Sequence, residues 1–107
     1  MTVNEVCERL ALTHVCGETS RSWDGVYVGD LLSRCMSHVE ADNLWITIMA
    51  NVNVIAVATL TDPAAIILAE DVEPSEDVIE AAKENDITLL RSALTAYELC
   101  VRIHELT

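Results

Sequence analysis

The side chains of this sequence that could do chemistry are four cysteines, three histidines and a scatter of carboxylates and amides. Cys7, Cys16, Cys35 and Cys100 contain no Cys-x-x-Cys pair, and His14, His38 and His104 do not fall at metal-ligand spacing with them. Three of the four cysteines have apolar neighbours three or four residues away on expected helices, which is the setting of a small buried hydrophobe. No serine, cysteine or histidine has a recognisable base or orienting partner, so no catalytic residue is assigned. With only 3 glycines there is little room for a phosphate-cradling loop, and neither a cofactor nor a metal site is expected.

What remains is a set of polar residues that follow expected strands: Asp30, then Asn51 and Asn53, then Glu70 and Asp71, and finally Ser92. In an open parallel sheet, ligands bind beyond the carboxyl ends of the strands, so these six are the candidate ligand-binding residues. Glu70 and Asp71 could together hold a hard cation, although adjacent loop carboxylates more often face water. Asp30 has a structural use as well, as the N-cap of a helix over Asp30–Val39. His38 lies near the end of that helix on its polar side, where a partly cationic imidazole suits the terminal dipole.

The elements that would position these residues can be read from periodicity. Leu44 to Ala69 carries a single charge, Asp62, and is the core of the chain. Within it, Leu44–Ile48 and Ala65–Ala69 are continuously apolar, as strands buried on both faces are. Joining two such strands in parallel needs a crossover of a dozen residues or so, and Ala50–Pro63 supplies it as a helix. Thr2 with Glu5, and Thr95 with Glu98, have the form of capping boxes that start a first and a last helix. Short strands are expected at Leu12–Cys16, Val26–Val28 and Ile87–Leu90, and Pro74 with Ser75 opens one more helix. Leu31, Leu32, Cys35, Met36 and Val39 form the inward stripe of the second helix, and Gly17–Asp24 reads as the least constrained surface loop. The order α, β, β, α, β, α, β, α, β, α predicts an α/β fold, a three-layer α/β/α domain with a mostly parallel five-stranded sheet.

Composition narrows the partners. The 107 residues make one domain, 51% hydrophobic, with 18 acids against 6 Lys and Arg and a net charge of -12. Eight of the acids lie between Glu70 and Asp86, with only Lys83 to offset them. Nucleic acid and anionic membrane surfaces are therefore expected to be repelled, whereas a basic protein or a cation would be attracted. The longest apolar run is broken by Asn51, Asn53, Thr59, Thr61 and Asp62, so no bilayer span is expected. No basic segment with a cleavable apolar stretch opens the chain, which leads us to expect a cytoplasmic protein.

Three stretches, VYVGDLLSRCMSHVEADNLWITI, NVNVIAVATLTDPAAIILAEDVEPSEDVIEAAKENDITLL and TAYELCVRI, carry a family likeness. The sequence resembles the DRTGG domain, a module also related to the N-terminal domain of HPr kinase/phosphorylase and found beside CBS domains and in some phosphotransacetylases. The likeness runs from about Val3 to Leu106, most specifically at Val28–Asp30, the Ala-Ile-Ile-Leu strand, Glu73–Ser75, and the late Ile-Thr-Leu-Leu strand with its Thr-Ala-Tyr-Glu helix. It implies a three-layer α/β fold, often dimeric, acting in regulation or interaction without known catalysis. Where such domains carry Asp-Arg after the third strand and Thr-Gly-Gly after the fourth, this chain has Asn51-Val52 and Ala69-Glu70-Asp71. A bidentate arginine and a close-approaching glycine pair could hold an anion, and neither is present at these positions.

The resulting expectation is a single DRTGG-like domain over residues 1–107 that regulates or binds other proteins without catalysing a reaction. Its partners would be a second copy of itself and an unidentified protein of a bacterial, cytoplasmic metabolic or redox enzyme system, with no nucleic acid and no membrane. Trp23, Trp45 and Tyr27 are its candidate buried or interfacial anchors. The alternative is a small-ligand sensor for a nucleotide, metabolite or cation, with Asp30, Asn51 and Asn53 lining its crevice.

Overall fold

Every residue of Asn43–Thr47 and of Ala65–Leu68 is buried, and strands with no wet face must be covered by helices on both sides. A computed structural model describing Met1–Thr107 places these strands at the centre of the fold. The elements run α1 (Val3–Leu10), β1 (Thr13–Cys16), β2 (Gly25–Val28), α2 (Leu32–His38), β3 (Asn43–Thr47), α3 (Val52–Thr61), β4 (Ala65–Leu68), α4 (Glu76–Glu84), β5 (Leu89–Arg91) and α5 (Ala96–Leu106). This is the expected order. None of the helices is long and apolar enough to cross a membrane.

The sheet has the order β1-β5-β4-β3-β2, parallel throughout except where β1 pairs with β5. From β2 to β5 each crossover advances one strand in the same direction, so right-handed connections put α2, α3 and α4 on one face. The two cores agree with that. Cys35, Val39, Val54, Ala58, Val78 and Ala82 pack with Trp45, Ile66 and Leu68, whereas Val3, Val6, Leu10, Leu99 and Ile103 of α1 and α5 pack with Leu44, Ile46 and Ile67. Alternate residues of one strand thus feed opposite layers, the period of two that a pleated strand imposes.

Both capping boxes form. Thr2 Oγ1 accepts the Glu5 amide and Glu5 accepts the Thr2 amide, and Thr95 and Glu98 repeat the exchange at α5. The bonds to Thr2 and to Thr95 hold the Glu5 and Glu98 carboxyls below the usual carboxylate range.

Three local expectations are corrected. Asp30 does not cap α2, because the chain stays extended through Leu31, which takes the N-cap position without a side-chain bond. The inward stripe is consequently narrower: Leu31 and Met36 are exposed, and Cys35 is the buried residue of α2. The Gly17–Asp24 loop is tied down. Its Thr19 and Arg21 carbonyls accept the Asn4 and Val3 amides, Thr88 donates to the Glu18 carbonyl at 2.6 Å, and the Arg21 guanidinium reaches Asp42 at 2.7 Å and Asp62 at 2.9 Å. That arginine bonds one strand entrance to the next, and loop composition alone does not reveal it. Gly17 itself, at φ 94, lies so close to Thr88 that a Cβ would collide with its backbone.

The α5 cap gives a direct test. Thr95→Ala should lower unfolding free energy by about 1 kcal/mol in urea denaturation at neutral pH. Because the folded-state pKa of Glu98 is depressed, its contribution is present above the unfolded carboxylate pKa and is lost as pH falls through the folded value. The gap between wild type and variant should therefore shrink below about pH 4.5.

Candidate functional site

The carboxyl ends of β2, β3, β4 and β5 form the rim on which the six candidate residues were expected to lie, and each has a local occupation there. Asp30, just beyond β2, accepts from Thr47 Oγ1 at 2.8 Å and from the Ile48 amide at 2.9 Å. It therefore ties the end of β2 to the end of β3. Thr47 continues the relay, its Oγ1 accepting the Met49 amide at 3.2 Å. Asn51 is the N-cap of α3, with Oδ1 accepting the Val54 amide at 3.2 Å, and Asn53 is exposed in the first turn of that helix.

Past β4 the chain turns through Glu70 and Asp71, both exposed and both left-handed, at φ 59 and 58. These are the two positions at which the resemblance places a glycine pair. The backbone conformation that favours glycine is thus retained with larger residues in it, at a cost of roughly 1–2 kcal/mol for each left-handed residue. Their amides donate to the Leu94 and Ser92 carbonyls at 2.9 and 2.8 Å, which locks the turn against the segment after β5. Ser92 is buried, and its Oγ accepts the Leu94 amide.

The rim therefore comes in two groups: Asp30, Thr47 and Asn51 around β3, and Glu70, Asp71 and Ser92 with the end of β5. Arg91, a residue that sequence reasoning passed over, belongs to the second. Its Nη2 donates to Asp71 Oδ1 at 3.0 Å and to the Asp71 carbonyl at 3.1 Å, while its Nε is buried with no acceptor. The available signal was its place, a lone cation directly after the apolar Leu89-Leu90.

Four cavities open on the surface, and none is lined by any of the six rim residues. The most apolar, about 200 Å³, lies beside the start of β2 and the end of α5, between Trp23, Val26, Cys100, Ile103, His104 and Thr107. Of the expected anchors, Trp45 is fully buried and donates through Nε1 to the Gly29 carbonyl, and Tyr27 stacks on His38 with ring centroids 6.1 Å apart. Trp23 lines the cavity, and its indole N–H is buried without an acceptor. All four thiols are free, and burial raises the pKa of each, which keeps them protonated and poorly nucleophilic. No three His, Cys, Asp or Glu side chains converge in a way that could hold a metal ion.

With this geometry in place, comparison with known proteins identifies its relatives. No curated protein matches the chain. Among solved structures, it is similar to the CBS and DRTGG domains of the regulatory region of Clostridium perfringens pyrophosphatase, a structure complexed with the activator diadenosine tetraphosphate. The two share 15% identity at a TM-score of 0.75, over 95% of this chain and 45% of that one, so the likeness is one of fold and the chain spans less than half of its neighbour. The model of the DRTGG domain matches residues 5–106, and this chain, with its two-layered helical cover and mostly parallel sheet, belongs to the DRTGG domain family.

Proposed function

We propose that this chain is a non-catalytic regulatory domain that works by binding protein: a homodimer serving a cytoplasmic metabolic or redox enzyme system. The observation that carries the reading is the state of the rim. In an open parallel sheet, the strand carboxyl ends are where a ligand or substrate would be held. Here Asp30, Asn51, Asp71 and Ser92 direct their side chains or carbonyls to neighbouring backbone or to Arg91. Family membership and the regulatory region in which the structural neighbour's DRTGG domain is found support the regulatory part of this reading.

A second reading, a small-ligand sensor, is favoured by one feature. The buried Nε of Arg91 has no acceptor, and it stands beside the left-handed Glu70-Asp71 turn. An anion there would compete with Asp71 for the guanidinium, and the surrounding carboxylates oppose it.

Two measurements test the reading. Light scattering at several concentrations should give the mass of a dimer, and calorimetric titration with nucleotides and acyl phosphates should give no heat of binding. A strict monomer at high concentration removes the homodimer, and micromolar binding of any of these compounds moves the function to the sensor. The structural role of the rim has its own test. Glu70→Gly should raise unfolding free energy by about 1 kcal/mol, because glycine adopts the same φ without strain; a loss of stability would show that the Glu70 side chain is needed.

A further inference from the structure

The two edges of the sheet are treated differently. β1 has a register irregularity between His14 and Cys16 and is packed by α4. β2 has neither a bulge nor a proline nor a charge in Gly25–Val28, and its outer side is open. The Gly29 amide donates to the Ile46 carbonyl of β3, so alternation turns the N–H and C=O groups of Val26 and Val28 outward. An edge of this kind is a template for another strand, and proteins usually guard it with lysine, proline or a bulge. Here it is unguarded.

Next to that edge lies the apolar cavity of Trp23, Val26, Cys100 and Ile103. Val26 and Val28 are both exposed, on the face that carries α5, and Tyr97 and Val101 extend the apolar surface along that helix. A free strand edge with an adjoining apolar pocket is the arrangement by which added strands are recognised, main chain for affinity and alternate side chains for specificity. The indole N–H of Trp23, buried without an acceptor, is a donor that a carbonyl of an added strand would satisfy.

Charge selects the occupant. Asp24 and Asp30 stand exposed at the two ends of β2, and no lysine or arginine occurs between Ser22 and Ser33. A second copy related by a two-fold axis must pair antiparallel, and pairing centred on Tyr27 sets Asp24 against Asp30 at both ends. The net charge of -12 adds to that repulsion. We propose that the β2 edge of this domain takes up an extended segment of a different protein, apolar at alternate positions and flanked by lysine or arginine. This rests on the interaction-domain reading above and names the surface and chemistry of its partner; the homodimer then uses another face.

The test uses the peptide acetyl-Lys-Thr-Val-Thr-Val-Thr-Lys-amide and its counterpart with Glu at both ends, each titrated into the isotopically labelled protein. The Lys-ended peptide should slow exchange of the Val26 and Val28 amides and shift the Trp23 indole resonance. It should bind about tenfold more tightly than the Glu-ended peptide, a gap that narrows with salt. Asp24→Lys should abolish the preference while the fold, read from the remaining amide resonances, is unchanged. Equal binding of both peptides, or binding that leaves the Val26 and Val28 amides unprotected, overturns the proposal. So does protection of those amides without peptide that grows with protein concentration, which would place a second copy on the edge. A chain that binds neither peptide yet still dimerises and ignores nucleotides loses this proposal and keeps the interaction-domain reading.

Discussion

Burial of β3 and β4 on both faces is the constraint from which the rest of the molecule follows. Leu44, Trp45, Ile46, Ile66, Ile67 and Leu68 lose essentially all contact with water, each burial being worth about 1.5–3 kcal/mol. That gain requires apolar cover above and below at once. Three helices supply it on one face and two on the other, and Asn43 and Thr47 remain buried only because their polar atoms are bonded: Asn43 Oδ1 accepts the Glu40 amide, and Thr47 donates to Asp30. The cover is unequal at the margins. On the face with two helices, the β2 edge and the flank of α5 leave an apolar surface that the chain itself does not close.

The acidic character of the protein has a conformational side. Asp42, Asp62, Glu70, Asp71 and Asp86 all adopt left-handed backbone conformations, in a chain with only 3 glycines. Aspartate tolerates that region because its short side chain can bond locally, so acids stand at turns where glycine is usual. Two of them, Asp42 and Asp62, share the single charge of Arg21, which joins the loop before β2 to the entrances of β3 and β4. Part of the negative charge thus serves the turns, and the part left unpaired around β2 sets what can approach that edge.

Most of the architecture was legible because its signals are local and strong. Continuously apolar runs mark β3 and β4, and two Thr-x-x-Glu boxes mark α1 and α5. The spacing between the buried strands makes Ala50–Pro63 a crossover helix, which the structure places at Val52–Thr61. The misses have a common cause. Asp30 before a helical stripe is indistinguishable in sequence from an N-cap, and only the approach of β3 gives it Thr47 and Ile48 instead. Arg21 and Arg91 act through partners 20 to 42 residues away, and no local pattern encodes such pairs. The left-handed turn at Glu70-Asp71 carries no glycine to announce it. The rim residues were correctly placed at strand ends, but that they line no cavity is a property of packing.

Native-state hydrogen exchange followed residue by residue tests the central claim most directly. If the seam of β3 and β4 organises the fold, the amides of Trp45, Thr47, Ile67 and Ala69, which bond across it, exchange only through global unfolding, with protection equal to the unfolding free energy measured by denaturant. Exchange of these amides through local opening, with the slowest protons found in α1, α5 or β1 instead, would contradict it.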